Sequence, residues 1–510
     1  MEAALAIGHD LEAVGVLLAA LLAGAAVLAP VLRVRAAATA GALALTPVLL
    51  IADIWDAPQF RPLRERPVLA LGLVVLAVAA VAGAALLVAR RPAILPLAAV
   101  AVLPFRVPIA SAGETANLLV PLYFVVASGA LAFLVADLRG RELVAARRTT
   151  GRLEWLLLGL VSLYAAQSWY SGAFSKALEQ VVFFYVPFAL LFALLVRYEW
   201  TPRRMAACLG VLVGLSVAFT AIGAVEFQTR TLLLNPKVIS ANQFQSYFRV
   251  NSLFFDPNIF GRFLAVVMTL VAGVLLWTRA RRTVALTALA LAVLWTGLVL
   301  TLSQSSLTAL LVGLAVLGAL RYGLRWALPA GGVAVAAAVV VVVAFPHAVR
   351  LNVNSLQSLN GSTSGRADLV RGGLDLFGAR PVQGFGSGSF SREFRRRHET
   401  SDEKAAAASH TIPITVAAEQ GVGGLVLYLL VLVAAFTRLL RGARGSPARA
   451  AIAAGFAGLI AHTFLYAAFL EDPLVWTLLA VGTALALPTS SSPDAAARDG
   501  RPTEPSMTAA

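Results

Sequence analysis

Residues 381–430 read PVQGFGSGSF SREFRRRHET SDEKAAAASH TIPITVAAEQ GVGGLVLYLL. Up to His410 the stretch is polar, glycine-punctuated and basic; from Thr411 it becomes an apolar run, and a bilayer crossing takes about 20 such residues. The stretch closes a polar interruption, residues 346–410, in a chain that otherwise alternates apolar spans with short basic turns. That alternation decides the fold class. The 510 residues are 59% hydrophobic and 13% charged, against roughly a quarter charged in an ordinary soluble domain. The apolar runs are rich in Leu, Val and Ala without period-two alternation, which argues against an outer-membrane barrel. The expectation is an all-α polytopic membrane protein in a lipid bilayer, with about 12–15 transmembrane helices and one large external loop.

Candidate spans fall at 11–32, 36–53, 68–89, 93–109, 118–136, 153–170, 178–196, 205–225, 257–277, 283–302, 305–320, 327–345, 411–437, 449–470 and 474–488. The fourth, broken by Pro96, Pro104 and Pro108 and carrying Arg106, reads as re-entrant or interfacial. Alternate turns concentrate arginine: Arg139 to Arg152, Arg197 to Arg204, Arg279 to Arg282, Arg321 and Arg325, and Arg438 to Arg449. The positive-inside bias makes those turns cytoplasmic. The polar windows 228–256 and 346–410, the pair Glu471-Asp472 and the N-terminus then face outward. The arginines from 392 to 397 run against this count, but long loops are largely exempt from the charge rule. The chain divides into N-terminal transmembrane helices (1–227), a region holding both external loops (228–488), and a Pro/Ser/Ala-rich tail (489–510) expected to be disordered and cytoplasmic.

The net charge of +15 does not imply nucleic-acid binding. Among the 41 basic residues only Lys176, Lys237 and Lys404 are lysines, and many arginines sit in the short turns that orient spans. The lone Cys208 excludes disulfides and zinc clusters within one chain.

Chemistry has to come from the two polar windows. In Phe255-Asp256-Pro257-Asn258, Asp256 fits a helix N-cap and Pro257 the first helical position. Arg262 follows about one turn inside a span, where a charge snorkels or finds a partner. Arg366 and Arg371 are five apart, roughly 140° on a helix, and need not share a face. Gly384, Gly386 and Gly388 suit a tight turn, either merely structural or with amides able to approach an anion. Arg395, Arg396 and Arg397 read as a solvated helix face or a lipid head-group contact. His410, at the lip of the next span, is either an interfacial histidine or a general base. Glu419 and His462 lie inside apolar spans and need partners.

The order of Arg249, Phe255-Asp256-Pro257-Asn258, Leu302-Ser303-Gln304-Ser305, Gly365-Arg366, Pro381 to Phe390, His410 and Glu419-Gln420-Gly421 resembles the O-antigen ligase/polymerase family over roughly residues 245–485. The resemblance implies a glycosyltransferase-C-like enzyme of the bacterial inner or plasma membrane. Such an enzyme takes a glycan from a polyprenyl-diphosphate carrier and transfers it on the outer face to a glycan or lipid acceptor, without nucleotide sugar, cofactor or metal. Carried over by position, Arg249 and Arg366 hold the diphosphate, and His410 activates the acceptor hydroxyl or supports the leaving group; Arg262, Arg371, Asp256, Asn258, Glu419 and His462 are the remaining candidates for binding diphosphate or glycan. Two departures stand out: Ser306 where the family often has arginine, and Thr411 where Asn or Ser is common. The resemblance leaves ligase and polymerase unseparated. A transporter or flippase of a lipid-linked glycan is the alternative, one that would use polar residues in broken helices at mid-membrane.

Overall fold

The computed structural model describes residues 2–55, 58–111, 114–140, 151–233, 248–325, 329, 366–398, 411–466 and 468–486, with backbone only at 2–9, 59, 108–116, 366, 367 and 398. The expected span at 327–345 lies outside them, as does His410. The helices are α1 Glu2–Leu28, α2 Leu32–Ile54, α3 Pro67–Arg90, α4 Ile94–Val102, α5 Val120–Leu138 and α6 Arg152–Gln167. They continue with α7 Phe174–Leu195, α8 Pro202–Thr229, α9 Pro257–Trp277, α10 Arg281–Thr301 and α11 Gln304–Tyr322. Two short helices, α12 Arg366–Ala379 and α13 Phe390–His398, precede α14 Ile412–Leu440, α15 Pro447–Thr463 and α16 Pro473–Ala486.

Among the described residues ten helices are long and apolar enough to cross a membrane, and the protein is an all-α polytopic membrane protein. The fourth expected span is only a half-helix. At nine residues, α4 is about 14 Å long, and Pro104 follows where another turn would need its N–H. After it comes a hairpin that span-reading missed, Val107–Ser111 paired antiparallel with Glu114–Leu118.

Polar ties gather the arginine-rich turns onto one face. Arg35 at the start of α2 grips Asp137 at the end of α5 at 2.8 Å, and Arg197 after α7 stands 3.9 Å from the same carboxylate while donating to Ala26 O. Arg438, late in α14, approaches Glu154 at the start of α6 at 3.7 Å. Arg321, late in α11, donates to Leu276 O near the end of α9. Segments 248–256, 366–398 and 464–472 therefore lie toward the opposite face, where α9 and α14 begin.

The interior of α7 shows how sequence bends a buried helix. Residues Val181–Tyr185 form a π-helical turn, and Pro187 two residues later lacks the N–H that would bond Phe183 O. Tyr123 of α5 donates its hydroxyl to that carbonyl at 2.6 Å. A backbone acceptor left bare in a water-poor interior would cost several kcal/mol, so the phenol offsets the proline's missing donor.

Candidate functional site

Two polar constructions occupy the face opposite the arginine-rich turns. The first joins α9, the α10–α11 turn and α15. Asp256 accepts from Asn258 N at 2.6 Å and caps α9 with Pro257 at its first turn, as the tetrad predicts. Its other oxygen accepts from Tyr466 OH at 2.9 Å. Arg249 donates through Nε to Thr301 O at 2.9 Å and through Nη2 to Asn258 Oδ1 at 3.0 Å. Ser303, which caps α11, donates to the same Asn258 oxygen at 2.8 Å. The hydroxyls of Ser305 and Ser306 lie 3.2 and 3.4 Å from His462 Nε2. Those serines and His462 are buried; Arg249 and Asn258 are half-buried. The arginine is thus aimed by two acceptors and backed by a hydroxyl network.

This packing explains the departure at Ser306. Its side chain is fully buried, donates to Asn258 O, and sits so close to Gly261 that a Cβ there would stand 2.6 Å from the hydroxyl. An arginine has no room at 306. Nor does Arg262 take its place on this network: it is 1% exposed, its Nε is 2.9 Å from Asp472 Oδ2, and it donates to Ala468 O. Nε and the carboxylate are close but out of line for a hydrogen bond, so the contact is an ion pair that ties α9 to α16. Arg106 lines the same small void as Arg262 and Asp472, about 20 Å³, room for one water. Arg371 is exposed on α12, apart from the serine–histidine network. Arg366 opens α12 with its side chain outside the described atoms.

The second construction is a break in α14. Gly421 has φ 66° and ψ −166°, a region essentially reserved for glycine. The break frees backbone groups, and the glycine stretch 384–388 takes them up. Phe385 N donates to Ala418 O at 3.1 Å, Gly386 N to Glu419 O at 2.9 Å, and Val422 N to Pro381 O at 2.7 Å. Gln167 Nε2 donates to Gln420 O at 3.3 Å. A Cβ on Gly384 would overlap the Glu419 carbonyl, and one on Gly421 would overlap Val382 O. The turn does present amides to an anion, but that anion is internal: Gly388 N and Phe390 N each donate to the Glu419 carboxylate at 3.0 Å. Phe390 begins α13, so the carboxylate also sits at a helix N-terminus, where negative charge is favoured. Beyond it, Arg396 and Arg397 are exposed, Arg396 standing 3.3 Å from Glu393 and Arg397 donating to Asp375 O at 3.2 Å.

Beside Glu419 lies a cavity of about 280 Å³ whose walls include Tyr164, Lys176, Tyr185, Gln420 and Glu471. Tyr185 OH donates to Glu471 at 3.2 Å, and burial raises the Glu471 carboxyl above the ordinary carboxylate range. Sequence reading flagged Glu471 only as part of an outward-facing pair and passed over the tyrosines, which look like ordinary core residues. Their one signal is Pro187, which forecasts an irregular helix around Tyr185.

The fold and these two sites define a multi-pass helical membrane protein whose polar chemistry is collected at one end of the bundle. Residues 289–429 match the family model described as O-antigen ligase. That segment, which runs from within α10 to the middle of α14, takes in Ser303 to Ser306 and the break at Gly421 but leaves Arg249, Asn258 and His462 outside; the similarity supports an O-antigen ligase-like glycan-transfer function. No curated protein matches the chain.

Proposed function

We propose that this protein transfers a glycan from a polyprenyl-diphosphate carrier to an acceptor hydroxyl at the extracytoplasmic surface of the plasma membrane, by the family's chemistry and without nucleotide sugar or metal. The observation that carries the reading is Arg249, held by Thr301 O and Asn258 at the end of the bundle opposite the arginine-rich turns. An arginine fixed in this way presents its planar, permanently charged fork to phosphate oxygens. In the reaction the acceptor oxygen bonds the anomeric carbon of the donor sugar, the carbon–oxygen bond to the diphosphate breaks, and the electron pair leaves on the phosphate oxygen. Fixed cations stabilise that growing charge. Arg249 and Arg366 take this role, and His410 receives the acceptor's proton. Arg262, paired with Asp472, serves the fold.

Transport of the lipid-linked glycan is the competing reading. The break in α14 does not favour it, because the freed carbonyls are bonded to residues 385 and 386 and to Gln167 and are not left lining an ion path. The test is a transfer assay in lipid nanodiscs with a polyprenyl-diphosphate-linked oligosaccharide and a panel of acceptors. Wild type should release polyprenyl diphosphate coupled to product, and Arg249→Ala, Arg366→Ala and His410→Ala should lose both while remaining folded. Undiminished transfer by the variants would remove their assigned roles. A donor that crosses liposomes intact, with no product from any acceptor, would favour the transporter.

A further inference from the structure

We propose that the 280 Å³ cavity between α6, α7, α13 and α14 seats an uncharged sugar residue of the glycan, with Glu471 reading its hydroxyls. The proposal rests on the glycan-transfer reading above and gives that reaction a specificity pocket separate from the diphosphate-binding arginine.

The cavity is the size expected for a small hydroxylated ligand, at the lower end of the few hundred Å³ typical of binding pockets. Its wall holds buried polar atoms with nothing in line to bond. The Gln420 Oε1, Tyr164 OH and Tyr428 OH atoms make no hydrogen bond of good geometry among the described residues, and these side chains are at most 3% exposed. Tyr185 stands beside Tyr164, and Thr463 beside Tyr428. Those polar atoms are closed off from the void itself; they make the wall polar behind its lining, and the group left to meet a ligand is the Glu471 carboxyl. Phe184, Phe390 and Phe469 supply apolar wall, the mixture of aromatic surface and a few placed polar groups that a sugar ring needs.

Charge decides which sugar. Glu419 and Glu471 both line the cavity, whereas its one lysine, Lys176, is bridged to Glu179 at 3.1 Å. The wall therefore offers acceptors to hydroxyls, while its one lysine is already paired and gives a diphosphate or a uronic acid little to bind. Glu419 spends an oxygen on each of two backbone amides. Glu471 takes one bond from Tyr185 and, since a carboxylate offers about four acceptor sites, keeps capacity for a ligand. The π turn of α7 brings Phe184 and Tyr185 to the wall, and such turns recur at functional sites.

The test reads binding without donor or transfer. Saturation-transfer NMR on the full chain in nanodiscs would use three probes: methyl α-glucoside, N-acetylglucosamine and glucuronate. Wild type should give signals from at least one neutral sugar and none from glucuronate. Glu471→Gln should weaken the binding about tenfold, the loss of roughly one charged hydrogen bond. Thr415→Trp and Ser391→Trp, which fill the cavity from different walls, should abolish it while keeping wild-type circular dichroism and elution. Failure of both neutral sugars to bind, binding unaffected by the two tryptophans, or glucuronate binding as strongly would each overturn the proposal. Transfer by wild type alongside any of these would leave the glycan-transfer reading standing; sugar binding without transfer would do the reverse.

Discussion

Gly421→Ala is the sharpest test of how this membrane helix is broken. Alanine at φ 66°, ψ −166° costs about 1–3 kcal/mol for backbone strain alone. Its Cβ would overlap Val382 O, so segment 381–382 must retreat and Val422 N loses Pro381 O, a further cost of about 1–3 kcal/mol for a buried group left unbonded. The expected loss is about 2–6 kcal/mol, a large part of the roughly 5–15 kcal/mol that holds a typical domain together. Gly423→Ala, two residues on, is the internal control. Gly423 is helical and a Cβ there meets nothing within 4 Å, so alanine should stabilise by roughly 0.5–1 kcal/mol. Thermal unfolding of the pair in one detergent, followed by circular dichroism and by the fraction eluting as monodisperse protein, puts the two substitutions on opposite sides of wild type. If Gly421→Ala melted at or above Gly423→Ala, the break would not depend on the glycine conformation and the reasoning would be refuted.

Further substitutions probe the surrounding framework. Arg262→Met should destabilise by about 3–5 kcal/mol, as expected for a broken buried ion pair; Asp472→Asn should be worse, because it strands Arg262 beside Arg106 in the same void, and the order of melting temperatures checks this. Tyr123→Phe should cost about 1–3 kcal/mol by stripping Phe183 O of its donor, and most of that cost should vanish in a Pro187→Ala background, a coupling read from a double-mutant cycle. Glu471→Gln should affect stability in a pH-dependent way. Because burial raises this carboxyl in the folded state, wild type carries no penalty below the ordinary carboxylate range and loses stability as pH rises toward the shifted one. The glutamine variant should match wild type at low pH and exceed it on the alkaline side, and parallel melting curves at every pH would count against the burial argument.

The transmembrane layout was legible because it depends on composition: uncharged runs fix the spans, and arginines mark their shared end. The cap at Asp256-Pro257 was legible too, since capping is decided within four residues. What escaped was anything settled by a distant partner. Arg262 looks like a free intramembrane cation until Asp472 comes beside it, and no local pattern links the two positions. The glycine run at 384–388 suggests anion binding, and only the fold reveals that the anion is Glu419. Gly384 reads in sequence as part of a tight turn and Gly421 as part of a motif, yet they are the two halves of one close approach. The hairpin after α4 was hidden because its prolines and small residues resemble an interrupted span.

The bonds that close the break in α14 run from main chain to main chain, apart from the contribution of Gln167. Main-chain groups are the same whatever side chain they carry. Mutational drift at Val382 and Gln383, which are exposed, is therefore nearly free, whereas at Gly384 and Gly421 even a single methyl group collides. The join between these two strands of sequence records itself as a fixed spacing of glycines, blind to the chemistry of the residues around them. The surface above the break can change in character while the same backbone join persists beneath it.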